Sequence, residues 1–227
     1  MEFRSPWPCR LFLFDLDGTL IDSRIDIANS VSLALARMSL PDVAGSQVVE
    51  FVGDGVRKLI QRVLRAAMGG EATPEQVRRG VELVVEEYER HSLDNTRLYP
   101  GVRETLDRLS WAYFGVVTNK LERLSKQILD GLGVSARFCA ILGGDSTPHL
   151  KPHPASLREA MRRCKREPHE TIMVGDSPVD IDAGRAAGVI TCGISEGFCG
   201  RPALEAAGCD LILDHLSELP AHFGPPS

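Results

Sequence analysis

The sequence predicts an α/β protein, a doubly wound parallel sheet that carries a smaller unit made only of helices. Three observations support this. From residue 97 onward short apolar runs alternate with amphipathic helical stretches, as strand–helix units around a parallel sheet do. The run Leu11-Phe12-Leu13-Phe14 is apolar without alternation, which suits a strand buried on both faces. Residues 24–95 show helical periodicity and no strand pattern. With 227 residues the chain can form one large domain holding a smaller insert. The expected boundaries are 1–23 with 96–227 for the sheet domain and 24–95 for the helical unit.

Each element has its own signal. The opening strand ends at Asp15, and Asp17 and Gly18 follow at the turn. In the helical unit Ile27, Val31, Leu35 and Met38 share one face, and Pro41 ends the pattern. A second helix starts near Gly55, carries Val56, Leu59, Ile60, Val63 and Ala67, and stops at Gly69-Gly70. A third opens with Thr73 as cap, Pro74 in the first turn and Gln76 completing a capping box, with Val77, Val81, Val84 and Tyr88 on its face.

Beyond Arg97 a helix bearing Val102, Leu106 and Leu109 leads into a strand over 112–117 that ends at Thr118-Asn119. A helix follows with Leu121, Leu124, Ile128 and Leu132, then a strand over 138–142 ending in Gly143-Gly144-Asp145. Pro154 begins a helix with Leu157, Met161 and Cys164 on one side. The strand over 171–174 runs into Gly175-Asp176-Ser177, and Pro178 starts the next helix. Strands near Thr191 and over 210–213 complete the series, and the Pro-rich tail is expected to fray.

Composition excludes several classes. A net charge of −5 gives no basic surface for nucleic acid. No apolar stretch approaches the ~20 residues that span a bilayer. Arg4 and Arg10 precede an apolar run that Asp15 interrupts, which does not fit a signal peptide, so cytoplasmic residence is expected. The six cysteines show no Cys-x-x-Cys and no zinc spacing. All six read as structural or incidental, with Cys139 and Cys192 as reduced thiols that pack like small hydrophobes.

Side chains at i and i+2 of an extended segment point the same way, so Asp15 and Asp17 form a like-charged pair at the end of a buried strand. Such a pair is costly unless a cation or a shared proton relieves it. Ligands of doubly wound sheets bind beyond the carboxyl ends of the strands, where Asp15, Asp17, Thr118, Asn119, Gly175 and Asp176 all fall, with Lys151 in a following loop. That set suits a phosphate monoester and Mg²⁺, which takes few carboxylates plus substrate oxygens and water. Asp15 and Asp176 offer side-chain oxygens and Asp17 its main-chain carbonyl. Lys151, the Thr118 hydroxyl, the Asn119 amide and the turn N–H groups are placed to hold phosphoryl oxygens. The two-residue spacing also allows a division of labour, with Asp15 as nucleophile and Asp17 as acid and base.

Asp15-Leu-Asp-Gly-Thr-Leu, Thr118-Asn119-Lys120, Lys151-Pro152 and Gly175-Asp176-Ser177-Pro-Val-Asp180 resemble, in order, the four motifs of the haloacid dehalogenase superfamily. The resemblance covers essentially the whole chain. It implies a Rossmann-like core with a helical cap after the first motif, and a Mg²⁺-dependent phosphohydrolase acting on a small phosphorylated metabolite. Asp15 would be the nucleophile, Asp17 the acid/base, Thr118 and Lys151 phosphate ligands and Asp176 a metal ligand. Asp180 would support the metal site from behind or touch the metal. Phe51-Val-Gly-Asp-Gly, Tyr99-Pro-Gly-Val and Gly143-Gly-Asp-Ser are similar to the bacterial phosphoglycolate phosphatase branch. Two departures are Asp54, where an uncharged residue is expected, and Leu150, where a lysine is often found. On that view Asp54 and Arg57 are candidate substrate contacts, and the added charge of Asp54 disfavours a substrate with its own carboxylate. A sugar or amino-sugar phosphate such as N-acetylmuramic acid 6-phosphate is then the alternative substrate, ahead of a phosphomutase or a non-catalytic binding protein.

Each motif also has a plainer reading. Asp176 and Asp180 suit an N-cap and a solvated acid, Thr118-Asn119 a capping turn, and Lys151 an exposed lysine. Gly53 and Gly55 suit helix breaks, and His149, His153, Arg57 and Lys58 suit solvated surface.

Overall fold

A computed structural model describes residues 9–225. Residues 1–8, which include Arg4 of the leader argument, and the last two residues of the Pro-rich tail lie outside the described residues. The chain divides into two compact units, one running to Asp22 and resuming at Leu98, the other spanning Ser23–Arg97. No helix among the described residues is long and apolar enough to cross a membrane.

The larger unit is built on a six-stranded parallel sheet. Its strands are β1 (Leu11–Phe14), β4 (Tyr113–Val117), β5 (Ala140–Leu142), β6 (Thr171–Gly175), β7 (Ile190–Ile194) and β8 (Leu211–Leu213), in the spatial order β5-β4-β1-β6-β7-β8. Two short strands, β2 (Ile21–Asp22) and β3 (Arg97–Leu98), pair in a separate ribbon. β1 is central: Leu13 registers with Gly115 on one side and Met173 on the other. All four of its side chains are fully buried. Phe12 and Phe14 join Trp111, Phe114 and Phe223 in an aromatic cluster with centroids 5.1 to 6.3 Å apart. Leu11 and Leu13 join Leu142, Leu157, Met161 and Met173 in a second cluster. Each such burial contributes roughly 1.5–3 kcal/mol, so β1 is a rigid base for whatever follows Phe14.

Five helices connect these strands: α5 (Val102–Arg108), α6 (Glu122–Gly131), α7 (Ala155–Cys164), α8 (Pro178–Ala187) and α9 (Gly200–Ala207). The smaller unit holds α1 (Arg24–Arg37), α2 (Gly45–Glu50), α3 (Val56–Met68) and α4 (Pro74–His91). The capping box expected at Thr73 and Gln76 is formed in both directions, and α3 ends at left-handed Gly69. Two helices have no counterpart in the sequence reading. α2 has only six residues and no capping side chain, and α9 buries only Leu204.

One sequence reading is corrected. Cys139 and Cys164 form a disulfide, with Cα atoms 5.9 Å apart. The pairing arises because α7 packs back against β4 and β5, a tertiary contact that cysteine spacing does not reveal. Closing a loop over a sequence separation of 25 is worth about 3 kcal/mol in the chain-entropy account. Cys164→Ser is therefore expected to lower the thermal midpoint more in oxidised protein than in protein held in reductant, where only the cost of a hydroxyl in the core remains, as scanning calorimetry would register.

Candidate active site

The strand order places a reversal at β1, because the chain moves outward through β4 and β5 and then returns to β6 on the other side. Side chains following β1, β4 and β6 therefore converge at one crevice. The Asp15 N–H donates to the Val174 carbonyl at 2.9 Å, extending the β1–β6 ladder by one residue. Gly18 then turns the chain at φ 84°. The conformation needs glycine, and so does the space, since a Cβ there would lie 2.2 Å from Asp176 Oδ2.

Each carboxylate of the Asp15-x-Asp17 pair meets a different lysine. Lys151 Nζ donates to Asp15 Oδ1 at 2.9 Å, to Asp180 Oδ1 at 2.6 Å and to the Val117 carbonyl at 2.7 Å. Lys120 Nζ donates to Asp17 Oδ1 at 2.9 Å. Lys151 is buried, so the exposed-lysine reading does not hold. Asp180 is buried as well and is not a solvated acid: it completes a capping box with Ser177, the true N-cap of α8. Its second oxygen accepts from the Ser177 N–H at 3.1 Å and the Ser177 hydroxyl at 2.7 Å.

Asn119, expected as a phosphate ligand, contacts the Lys151 main chain with both ends of its amide. Its Nδ2 donates to the Lys151 carbonyl at 3.0 Å, and its Oδ1 accepts from the Lys151 N–H at 2.9 Å. The amide thus clamps the Lys151 main chain from both sides. Thr118 is buried beside it, and its hydroxyl accepts from the Lys120 N–H at 3.3 Å.

Asp176 is held by two donors and packs against a glycine, all three outside the predicted site set. Thr19 Oγ1 donates to Oδ1 at 3.2 Å and the Phe198 N–H to Oδ2 at 2.7 Å. A Cβ on Gly197 would come within 2.2 Å of Asp176 Cβ and 2.5 Å of the Gly18 carbonyl. The available sequence signal was Gly197 itself, just past the end of β7. Gly197→Ala must push Asp176 or the Gly18 main chain aside. A shift of that size is expected to lower kcat/KM about 100-fold in a phosphate-release assay. Gly70→Ala, whose Cβ would meet nothing within 4 Å, serves as the neutral control.

Carboxylate oxygens of Asp15, Asp176 and Asp180 lie within 4.8 Å of one another, and the Lys151 ammonium bonds two of the three. Burial pushes the Asp15 carboxyl up to about 6; Lys151 opposes this, while Asp180 and Asp17 add to it. Burial also holds Asp176 well above the carboxylate range, reinforced by Asp180 and Asp15. Lys151 is held above its usual value because Asp15 and Asp180 outweigh the cost of its burial. Ionising all three carboxyls would leave more buried negative charge than Lys151 offsets, among hard oxygen donors, which fits a small divalent cation.

In the smaller unit, Asp54 pairs with Arg62, whose guanidinium also donates to the Phe51 carbonyl at 3.2 Å, and with Lys58 at 3.6 Å. Its charge is compensated by Lys58 and Arg62 of the following helix α3, so the argument that Asp54 disfavours an anionic substrate fails. Arg57 is exposed, as are His149 and His153, whose rings lie 4.3 Å apart.

Comparisons with known proteins agree on the class. The haloacid dehalogenase-like hydrolase family model matches residues 12–194. The phosphoglycolate phosphatase of Chromobacterium violaceum is 36% identical over 91% of this chain and 92% of its own length. That of Aquifex aeolicus is 38% identical over 80% of this chain and 83% of its own. A crystal structure from Haemophilus somnus, described as a predicted phosphoglycolate phosphatase, superposes with a TM-score of 0.87 at 32% identity, covering 94% of this chain and 97% of that one. The chain belongs to the haloacid dehalogenase-like hydrolase family and is a phosphatase of it.

Proposed function

We propose that this protein hydrolyses 2-phosphoglycolate to glycolate and phosphate through an aspartyl-phosphate on Asp15. The observation that carries the reading is the sorting of the first-motif carboxylates between two lysines, Asp15 to Lys151 and Asp17 to Lys120. Two neighbouring carboxylates with separate partners are suited to separate tasks. Asp15, fixed at the end of a buried strand, attacks phosphorus. Asp17, on the turn, gives a proton to the leaving alkoxide and later takes one from the water that attacks the acyl-phosphate. Lys151 offsets charge on the transferring phosphoryl group, with Thr118 and the main-chain N–H groups of the first turn around its oxygens. Asn119 acts by orienting Lys151. Asp15, the Asp17 carbonyl and Asp176 would hold Mg²⁺, with Asp180 behind them. When bound, that ion neutralises the carboxylates and polarises the phosphoryl oxygens. The Ser23–Arg97 unit is, on this reading, a cap inserted after the first motif. Cytoplasmic residence belongs to the same reading.

The test is release of inorganic phosphate from a panel of esters, with and without Mg²⁺. The expected result is Mg²⁺-dependent turnover, with the highest kcat/KM for 2-phosphoglycolate and none after chelation. A higher kcat/KM for a sugar or amino-sugar phosphate would overturn the substrate assignment, and undiminished turnover in chelator would overturn the metal.

A further inference from the structure

We propose that Lys120 is the specificity-determining residue for the substrate's second anionic group, the carboxylate one methylene away from the ester oxygen. This deepens the reading of Asp17 as the group that serves that oxygen and rests on it. The two site lysines are not equivalent. Lys151 has its three N–H donors directed at Asp15, Asp180 and the Val117 carbonyl, all protein groups of the phosphoryl side. Lys120 comes from the first residue after Thr118-Asn119, and its ammonium lies 2.9 Å from Asp17 on the leaving-group side.

Its position is built. The side chain of Lys120 is 8% exposed and that of Asp17 is 11% exposed. The main chain is fixed at both ends, with the Lys120 N–H donating to Thr118 Oγ1 and its carbonyl accepting from the Gly144 N–H at 2.8 Å. A Cβ on Gly143 would come within 2.6 Å of that same carbonyl, so the glycine pair after β5 allows the close approach.

The chemistry of 2-phosphoglycolate sets the requirement. Its carboxylate is carried on the carbon next to the leaving oxygen, so a group that reaches this oxygen has the carboxylate beside it. Without a cation there, a further anion would be brought into a site already rich in carboxylates, which is strongly unfavourable. Lys120, already in contact with Asp17, can bridge that side chain and the incoming carboxylate. An ester whose leaving group is neutral gains nothing from this bridge, so the lysine discriminates between them. The compensation of Asp54 by Arg62 and Lys58 removes the earlier reason to look to that loop for a bar against carboxylates.

The experiment compares kcat/KM for 2-phosphoglycolate and for 2-hydroxyethyl phosphate, its analogue with a neutral leaving group, in the wild type, Lys120→Met and Lys120→Arg. Both esters are expected to lose kcat in Lys120→Met, because Asp17 loses its partner. The ratio of the two kcat/KM values should fall about tenfold or more, mainly through KM for 2-phosphoglycolate, and Lys120→Arg should recover part of it. A ratio that stays within about tenfold of wild type would show that Lys120 acts only by orienting Asp17, and the proposal would be wrong. Should Lys120→Met fail to fold, product inhibition of the wild type decides. Glycolate is expected to inhibit at a concentration at least about tenfold below that of ethylene glycol, and a smaller difference overturns the assignment. If the wild type releases phosphate from neither ester, it is the proposed function that fails. Turnover of 2-phosphoglycolate with an unchanged ratio removes only the role of Lys120.

Discussion

Asp15→Asn is expected to reduce kcat for phosphate release at least about a thousandfold, with little change in fold. The substitution keeps the shape of the side chain at the end of β1 and removes the charge that attacks phosphorus. It also leaves Lys151 with two of its three partners, Asp180 and the Val117 carbonyl, so the lysine is not stranded in the interior. Breaking a buried ion pair outright costs about 3–5 kcal/mol; here the second carboxylate prevents that, and the thermal midpoint should move by only a few degrees. The contrast with Asp17→Asn identifies the two roles. If Asp15 is phosphorylated and Asp17 activates the water, Asp17→Asn should accumulate a phosphoryl adduct on the protein in a rapid-quench mass measurement. Asp15→Asn should show none. An adduct on neither variant, or equal residual turnover by both, would remove the division of labour between them.

The sequence carried the site's components better than its connections. β1 was legible because four apolar residues without alternation leave few options, and the capping box at Thr73 and Gln76 because its parts lie three residues apart. Asp15, Asp17, Thr118 and Asp176 stood out as candidates because each sits at or just beyond a strand end, and Lys151 because its loop follows β5 toward the same crevice. What joins them was not legible. The Asn119 clamp on Lys151 spans 32 residues, the Lys120 contact with Asp17 spans 103, and the Thr19 bond to Asp176 spans 157. No local pattern encodes such distances. They appear only once strands that are distant in sequence are neighbours in the sheet. The Asp54 argument failed for a related reason. A charge was counted, while the guanidinium two turns along α3 that compensates it was not. Gly197 left only a single letter after β7, and what gives it meaning is the Asp176 side chain that fills the space of its missing Cβ.

The same kind of long-range contact sets the stability of the smaller unit. Asp26→Ala is expected to lower it by about 3 kcal/mol, the range for removing a buried acceptor and leaving its donors unpaired. Asp26 lies in the first turn of α1 and is 1% exposed. Its two oxygens accept from the Asn95 N–H, Asn95 Nδ2, the Thr96 N–H and the Thr96 hydroxyl, at 2.7 to 3.0 Å. The residue therefore ties the first helix of the unit to the segment that leaves it. For a chain of this size the loss corresponds to a fall of roughly 6–12 °C in thermal midpoint, measurable by calorimetry. The effect should depend on pH with a definite sign. Burial alone would raise the Asp26 carboxyl, but the hydrogen bonds from Asn95 and Thr96 outweigh it and hold the group below its ordinary value. A group lowered on folding stabilises the protein above its unfolded pKa and loses that contribution as the pH falls through the folded one. The gap between wild type and Asp26→Ala should therefore be full at neutral pH and close progressively below about pH 4. A gap that stays constant into that range would mean that the four donors hold Asp26 by shape and not by charge.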